Sequence, residues 1–331
     1  MAITLAEAKV GMADKVDQQV VDMFRRSSLL LDRLTFDDSI SPGTGGSTLT
    51  YGYVQLKTPS TAAVRTINTE YTAGEAKREE KTAKAIIMGG SFELDRVIQN
   101  TSGAIDELSF QAEQKIKATA NYFHNLAING TSAASGSGFV TNTFDGLRKL
   151  LSGTSNVVTS EVSLTSSAEL ASNYAAFLDE IDAFLSVLDG KPDMLLMNTK
   201  MLNRIRSCAR RAGYYERSKD DFGRVVESYN GIALLDAGKY YNGSASVDVV
   251  STSAATSSAA GKTDIFAVCL GLDGFHGISP SGGSMISSYM PDLTQPGAVK
   301  KGEVELVAGV ALKNTLKAAQ LTGIAIDPAT T

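Results

Sequence analysis

The chain has 331 residues, which suggests one large domain or two moderate ones, and 43% of them are apolar, enough for a substantial core. Its formal net charge of −5 excludes a basic surface that would recruit nucleic acid over the whole protein. The two cysteines, Cys208 and Cys269, are too few for a disulfide framework and are expected to be buried free thiols.

Targeting and membrane-spanning segments are not recognisable in the sequence. Lys9 and Asp14 lie where a secretory signal peptide would have its apolar centre. No run of about 18 apolar residues occurs, so no transmembrane helix is predicted. The chain is therefore expected to have no membrane partner and to be made in a reducing compartment.

The N-terminal region is predicted to be a helix followed by a break. Residues 3–34 carry apolar residues at helical spacing, so we expect an amphipathic helix that packs on the protein's own core or on a neighbouring subunit. Residues 35–47 are rich in glycine, serine and proline and predict a flexible connection. Two strands are then expected, at residues 48–56 and 82–88.

The segment between these two strands is polar and of mixed charge. The segment spans residues 57–81, and a loop of this length is unusual inside a compact domain. The sequence therefore predicts a long two-stranded hairpin that projects beyond the core. Because an isolated hairpin is only marginally stable in water, we expect it to contact a partner surface, most simply another copy of the chain. The charged residues predicted to make and align this contact are Lys57, Arg65, Glu70, Glu75, Lys77, Arg78, Glu79, Glu80 and Lys81.

The longest predicted helix runs from Thr101 to Asn129. Its apolar residues, from Ile105 to Leu126, recur at the spacing of one helical face. The pair Asn129–Gly130 favours a helix end. At about 1.5 Å per residue the helix would be roughly 40 Å long. We expect it to carry the sheet on its apolar stripe and to leave a charged face free.

After this helix, the sequence predicts a second α/β region and a closing strand. The predicted elements are a helical turn at 144–151, helices at 167–188 and 199–212, strands at 194–197, 224–235 and 264–272, and one or two long strands at 302–326. Asn230–Gly231 is expected to form a turn between two strands. Loops are expected at 243–262 and 280–301, which are rich in small polar residues.

No catalytic, cofactor-binding or metal site is predicted. His124 and His276 lack convergent cysteine or acidic partners and are expected to be structural or solvent-facing. The glycine runs at 43–46 and 279–284 match neither a P-loop nor a dinucleotide-binding fingerprint. A solvated helix face is expected for the acidic residues Asp179, Glu180 and Asp182. Without such a site, a chain with projecting, partner-seeking elements is interpreted as an assembly component.

One local positive cluster stands out against the acidic chain. Its members are predicted to form ion pairs within or between subunits, or to contact phosphates. They are Lys200, Arg204, Arg206, Arg210, Arg211 and Arg217. Lys200, Arg204 and Arg211 share one face of a predicted helix, so a patch is geometrically possible.

The order of these elements resembles that of the major capsid protein of tailed bacteriophages, which has the Hong Kong 97-type fold. Three stretches carry the resemblance: the hairpin arm KTPSTAA from Lys57, SFELDRVI at residues 91–98 and PDMLLMNTKMLNRIR at residues 192–206. The resemblance covers nearly the whole chain. It depends on the order of elements, since the family has no short signature motif.

The resemblance implies an α+β fold with four parts. They are an N-terminal arm (1–46), an extended loop (47–88), a peripheral domain with the spine helix 101–129 (89–145 and 286–331), and an axial α/β domain (146–285). Some relatives carry an N-terminal scaffold segment that is cleaved, whereas this chain starts at the arm, so a separate scaffolding protein is expected. Some relatives also crosslink through a lysine of the extended loop, for which Lys57, Lys77 and Lys81 are candidates by location.

The resemblance also implies a function and its partners. Copies of the chain would assemble as hexamers and pentamers into the icosahedral head shell around the double-stranded DNA of a tailed phage. A portal and a decoration protein are further expected partners, and the packaged DNA would make only weak non-specific contact with the wall. Assembly is expected in the cytoplasm of the host bacterium, and the virion is the expected location.

Two other interpretations stay open at this point. The same fold would also suit the shell of a bacterial nanocompartment of the encapsulin type, which loads enzyme cargo. The alternative from a different class is a hydrolase or a sugar-binding α/β protein whose site is not readable from the sequence. Loss of a measurable turnover after a change at His124 or His276 would favour that alternative.

Overall fold

The computed structural model describes residues 33–39, 48–101, 107–136, 138–213, 216–219, 225–280 and 286–329. The predicted N-terminal helix lies outside the described residues except for its last two positions. The glycine run at 43–46 and residues 102–106 of the predicted long helix also lie outside them, as does most of the run at 279–284. No helix among the described residues is long and apolar enough to cross a membrane.

Strands and helices occur together along the described chain. The strands are β1 (Phe36–Ser39), β2 (Thr50–Thr58), β3 (Lys77–Lys84), β4 (Ile86–Asp95), β5 (Val157–Thr159), β6 (Met194–Met197), β7 (Glu216–Lys219), β8 (Val225–Tyr229), β9 (Ile232–Asp236), β10 (Lys239–Tyr241), β11 (Ser246–Asp248), β12 (Gly261–Val268), β13 (Phe275–Pro280), β14 (Ile286–Tyr289), β15 (Val299–Leu312) and β16 (Ala318–Asp327). The helices are α1 (Arg96–Thr101), α2 (Glu107–Asn129), α3 (Leu147–Leu151), α4 (Ser167–Leu185) and α5 (Thr199–Ala212), with a 3₁₀ turn at Thr315–Lys317.

Strand β15 is the central strand of a five-stranded sheet. The order is β1-β13-β15-β14, and the whole of β4 pairs antiparallel with residues 299–308 of β15. Met88, Phe92 and Leu94 alternate along β4 and are buried, whereas Ile87 and Glu93 on the opposite face are exposed. One face of the sheet therefore carries the core, and α2 packs against β4 and β15.

Helix α2 covers most of the described part of the predicted long helix, whose first residue, Thr101, belongs to α1. Its 23 residues make it roughly 35 Å long. Glu113 in its first half is exposed and Lys117 is half-buried, but every residue from Phe123 to Asn129 is buried. The expected free charged face is therefore wrong for the second half. Residues 121–129 contain no acidic residue, lysine or arginine, and they join a core shared by both large sheets.

The second large sheet has seven strands in the order β5-β16-β12-β6-β9-β8-β7. Helices α4 and α5 cover one face of it, because Phe177 and Ile205 on these helices share a core with Leu195 and Leu321 of the sheet. The predicted helices over this region are thus confirmed, as is the buried strand at 194–197.

Local sequence signals determine where these elements end. Helix α5 begins where the Asn198 side chain accepts a hydrogen bond from Met201 N, and it ends at Gly213 in the left-handed conformation with φ 71°. Asn230 and Gly231 have φ of 51° and 68° and connect β8 to β9. The predicted two-residue turn is confirmed, since this turn type requires positive φ at both positions.

Strand β16 lies in the seven-stranded sheet, where it pairs with β12 and β5. The sequence-based division instead places residues 286–331, and with them this strand, in the peripheral domain together with the spine helix. Leu321, Ile324 and Ile326 are buried in the core beneath α4 and α5, which explains why the chain crosses to the second sheet after β15. The four-part division of the chain otherwise stays a prediction.

Three segments predicted as breaks or loops contain strands. They are 35–47, 243–262 and 280–301, which contain β1, β11 and β14. Strand β1 forms because its partner β13 offers Gly277, over which the Phe36 ring packs. Val249 and Val250 in the second segment are also buried. These strands are short and their pairing partners are partly distant in sequence, so local composition did not reveal them.

Strands β2 and β3 form a two-stranded antiparallel sheet, which is the predicted hairpin. Its second strand spans Lys77–Lys84 rather than 82–88, because residues from Ile86 onward belong to β4 and the core. Residues 59–76, between the two strands, are all exposed and form no strand. The hairpin (residues 50–84) therefore extends beyond the two large sheets, as predicted.

Candidate subunit-contact surface

The hairpin is fixed to the five-stranded sheet at its root. Tyr53 and Ala85 are buried in a small cluster with Ile278 of β13 and Ala311 of β15. Gln55 Nε2 donates a hydrogen bond to a β15 carbonyl at 2.9 Å. The root is thus packed on two strands of the body, while most residues beyond Gln55 are exposed.

Tyr51 makes a second set of contacts at the root. Its hydroxyl donates to Asp37 Oδ2 at 2.6 Å, and Lys313 Nζ lies 3.5 Å from the same oxygen. Lys313 Nζ also lies 5.3 Å from the centroid of the Tyr51 ring, a cation–π contact. The Tyr51 hydrogen bond, and then Lys313, lower the pKa of Asp37. Burial, followed by the bond to Asp37, raises the pKa of Tyr51, so Asp37 is ionised and Tyr51 neutral at pH 7.

Some of the predicted contact charges pair within the hairpin. Glu79 forms ion pairs with Lys57 at 3.3 Å and with Lys81 at 3.0 Å. Hydrogen bonds from these lysines, from Lys81 first, lower the pKa of Glu79. Arg65 lies 5.5 Å from the centroid of the Tyr71 ring near the tip. Exposed pairs of this kind contribute little to folding, so the charges do not explain why the hairpin forms.

The remaining members of the predicted contact set are exposed. None of them has a charged partner in the described part of the chain. They are Glu70, Glu75, Lys77, Arg78 and Glu80. Their charges are therefore available to another molecule.

Three large apolar side chains at the hairpin tip are also exposed. Val64 is 99% exposed, Ile67 90% and Tyr71 61%. Clustered exposed apolar side chains are typical of interaction sites. Length, polarity and charge singled out this segment in the sequence, and these three apolar residues were missed. The available signal was the occurrence of three large apolar residues in an otherwise polar loop.

A groove of about 240 Å³ lies on the exposed face of the five-stranded sheet, between β4 and β15. Gly89, Glu303 and Glu305 are among the residues that line it. Glu303 pairs with Lys301 at 2.6 Å, and Glu305 has no cationic partner among the described residues. We call this surface the acidic groove.

The structure divides the predicted positive cluster. Lys200 and Arg206 form ion pairs of 2.6 Å with Asp327 and Glu227. Arg204 donates to two backbone carbonyls, at 3.0 and 2.9 Å. These three cations therefore hold α5 to neighbouring segments of its own chain.

Arg210 and Arg211 form the exposed part of the cluster. They lie in the last turn of α5, where the helix dipole favours positive charge. Arg210 Nε donates to a carbonyl of its own helix at 3.3 Å, and Arg211 Nη2 donates to Ser167 Oγ at 3.5 Å. Arg217 lies on β7, and its side chain is outside the described part of the structure.

Both histidines are buried, which rules out the solvent-facing alternative. Burial lowers the pKa of His124 on α2 to about 4. Burial also lowers the pKa of His276, which is 0% exposed. Among the described residues, no group of three histidine, cysteine or acidic side chains is placed to hold a metal ion.

Both cysteines are buried and free, as predicted. Burial raises the pKa of Cys208 to about 11 and also raises the pKa of Cys269. Neither thiol is ionised at neutral pH, so neither has the thiolate that nucleophilic catalysis needs.

The acidic residues of α4 lie on a largely solvated face, as predicted, since Asp179 and Asp182 are exposed and Glu180 is half-buried, but two of them also accept hydrogen bonds. Glu180 accepts a hydrogen bond from Ser160 Oγ at 2.7 Å, and Asp182 accepts one from the Tyr229 hydroxyl at 2.8 Å. Asp179 is exposed. Two of the three carboxylates therefore connect α4 to its neighbours.

Comparison of the sequence with known proteins identifies the family to which the chain is related. A sequence model described as SU10 major capsid protein matches residues 14–232, which is more than half of the 331-residue chain. No curated protein matches the sequence.

Several solved structures share the fold over nearly the whole chain. The holo-SrpI encapsulin complex from Synechococcus elongatus is similar with a TM-score of 0.66 at 14% identity, covering 100% of this chain and 99% of that one. The capsid of Myoviridae phage XM1 has a TM-score of 0.59 at 13% identity, covering 98% and 99%. The capsid of an empty GTA particle has a TM-score of 0.55 at 13% identity, covering 97% and 98%. The predicted α+β fold of Hong Kong 97 type is thereby confirmed.

Proposed function

The chain belongs to the SU10 major capsid protein family, and we propose that its hairpin joins one copy to the next in the icosahedral head shell of a tailed phage. The protein is a shell-forming structural protein of the capsid. The observation that carries the proposal is the hairpin, which is anchored at its root and exposed along residues 56–82 except at the half-buried Glu79.

An exposed two-stranded hairpin is only marginally stable in water without a partner surface. Its tip also presents Val64 and Ile67 to solvent, 99% and 90% exposed. Burying each of these side chains against a neighbour would stabilise a contact by about 1.5–3 kcal/mol. In a closed shell that contribution is repeated at every copy, so a modest free energy per contact is enough to stabilise the whole shell.

Charge complementarity favours the acidic groove as part of the receiving surface. The groove presents Glu303 and Glu305, whereas strand β3 carries four cations against two acidic residues, Glu79 and Glu80. These cations are Lys77, Arg78, Lys81 and Lys84. Laying β3 of one copy near the groove of the next would bring opposite charges together and fix the register of the contact.

The other parts of the assembly belong to the same proposal. Copies form hexamers and pentamers in the host cytoplasm with a separate scaffolding protein, a portal and a decoration protein. Packaged DNA touches the acidic shell only weakly, and Arg210 and Arg211 contact phosphates or a neighbouring subunit. The chain has no catalytic activity of its own, in line with the burial of both histidines and both cysteines.

The proposal is tested by shortening the hairpin. Residues 59–76 are replaced by a two-residue Asn-Gly turn that keeps β2 and β3 paired, and the particle mass is measured by light scattering. The wild-type chain is expected to form particles of megadalton size, and the shortened chain to stay small with an unchanged circular dichroism spectrum. Equal particle size for both chains would refute the role of the hairpin.

A second candidate is the shell of an encapsulin-type compartment. The similarity of the whole chain to the encapsulin structure, with a TM-score of 0.66, favours it as an alternative. The content of particles from their native source separates the two, because a phage head contains genomic DNA and a compartment contains protein cargo.

A further inference from the structure

The aromatic ring of Tyr51 is held on several sides at the root of the hairpin. His276 of β13 packs edge-on against it, with ring centroids 5.8 Å apart and an interplanar angle of 76°. Lys313 Nζ lies 5.3 Å from the ring centroid, and Asp37 Oδ2 accepts a hydrogen bond from the Tyr51 hydroxyl at 2.6 Å. We call Asp37, Tyr51, His276 and Lys313 the root latch. It connects the first strand of the hairpin to β1, to β13 and to the end of β15.

One ring nitrogen of His276 has no hydrogen-bond partner among the residues that the structure describes. Nδ1 lies 3.2 Å from the Gly274 carbonyl, but Nε2 is buried and unpartnered. A neutral imidazole with its proton on Nδ1 fits this site, because Nε2 then needs no acceptor. A doubly protonated imidazolium would leave a charged N–H buried without a partner, which is costly.

We propose that the root latch positions the hairpin on the body and that protonation of His276 releases it. The proton would enter a site that already holds the Lys313 ammonium, so two positive charges would face the Tyr51 ring. Releasing β2 from β13 would let water reach Nε2 and solvate the new charge. The proposal goes beyond shell formation, because it concerns the hairpin of a single copy.

The charged and titratable groups around His276 come from each element packed against it. They are Asp37 on β1, Tyr51 on β2, Asp273 in the turn before β13, and Lys313 after β15. Asp37 and Asp273 would favour the imidazolium, and Lys313 opposes it. Asp37 already accepts from Tyr51 and pairs with Lys313, so it is a poor extra partner for the imidazolium.

The direction of the pH effect follows from the lowered pKa of His276. Burial is its first cause, the hydrogen bond to the Gly274 carbonyl opposes it, and the charge of Lys313 adds to it. In a released hairpin the ring would titrate near its ordinary pKa of about 6.5. Docking of the root is therefore complete above that pH and weakens as the pH falls below it, by up to about tenfold per pH unit. His124 has a pKa of about 4 and stays neutral in this range.

Hydrogen exchange of the purified full chain at pH 7.5 and 5.5 tests this proposal. Peptides from residues 50–84 are expected to lose protection by several-fold at pH 5.5, after correction for intrinsic exchange rates. Peptides from the seven-stranded sheet should not change. In His276→Gln the loss should disappear, and in the matched control His124→Gln it should persist. Equal protection of the wild-type hairpin at both pH values would overturn the proposal.

A second measurement remains decisive even if His276→Gln fails to fold. The chain has only two histidines, so in His124→Gln the one remaining imidazole can be titrated by NMR. Its midpoint should coincide with the midpoint of the exchange change. Hairpin release at a pH where His276 does not titrate would also overturn the proposal.

Discussion

Arg148 Nη2 lies 2.9 Å from Asp264 Oδ2, which joins the short helix α3 to strand β12 of the seven-stranded sheet. Both side chains are mostly buried, at 20% and 15% exposure. Asp264 also accepts hydrogen bonds from Gln320 Nε2 at 3.0 Å and from Thr322 Oγ1 at 2.7 Å on β16. One carboxylate therefore connects three elements that are far apart in sequence.

Removing this carboxylate should destabilise the fold. We expect Asp264→Ala to lower the free energy of unfolding by about 3 kcal/mol, because it leaves a mostly buried guanidinium without its partner. Urea denaturation followed by circular dichroism measures the change. Asp179→Ala on the exposed face of α4 is the control and should change the value by less than about 0.5 kcal/mol. Equal effects of the two substitutions would contradict the role of Asp264.

Charge reversal on the hairpin should impair assembly without unfolding the chain. The double change Arg78→Glu with Lys81→Glu alters exposed residues, so the melting temperature of the unassembled chain should stay the same. Particle yield in electron micrographs should fall strongly. The charge-conserving pair Arg78→Lys with Lys81→Arg is the control and should assemble. Unfolding of the reversed chain would show that this strand does not project.

Polar substitutions at the hairpin tip should weaken contacts between copies through lost apolar burial. We expect Val64→Ser with Ile67→Ser to raise the protein concentration needed for assembly at least tenfold, because one buried side chain contributes about 1.5–3 kcal/mol. Light scattering over a dilution series gives this concentration. Ala62→Ser with Ala63→Ser changes the same loop with little loss of apolar area and serves as control. If the Val64→Ser with Ile67→Ser variant assembled at the same protein concentration as the wild type, the hairpin tip would lie in solvent in the assembled particle.

The two halves of the positive cluster should respond differently to substitution. Arg204→Ala removes donors from two carbonyls and should cost about 2 kcal/mol of unfolding free energy. Arg210→Ala changes an exposed side chain and should cost less than about 0.5 kcal/mol. Thermal or urea denaturation of both variants checks this difference. A larger cost for Arg210→Ala would mean that the exposed end of α5 is structural.

Acid should weaken the core through His124. Its pKa is about 4 in the fold and about 6.5 in an unfolded chain, so the unfolded state binds the proton first as the pH falls. Stability from the neutral ring is complete above pH 6.5 and is lost progressively down to about pH 4, by roughly 3 kcal/mol. Denaturation curves of wild type and His124→Met between pH 7 and 4 measure this loss. The same pH slope in both chains would exclude His124 as its source.

Much of the fold was accessible from local sequence signals. Helix α5 has its cap at Asn198 and its end at Gly213, and Asn230–Gly231 dictates a tight turn, so these elements were predicted correctly. The hairpin was predictable because its long polar segment excludes burial. These signals lie within a few residues of the element that they determine.

What the sequence did not reveal depends on distant contacts. Strand β1 exists because Phe36 meets Gly277, and β16 joins the second sheet because its apolar residues fit beneath α4 and α5. The positive cluster appeared continuous, yet Arg204 and Arg206 are engaged by segments far along the chain. The contact of Tyr51 with His276 likewise joins residues that only the fold brings together.

The most direct test of shell formation is electron microscopy of the purified chain and of cells that produce it. We predict closed particles of uniform size, in which the hairpin of each copy lies on the sheet of its neighbour. Small oligomers without closed particles in both preparations would contradict the central claim.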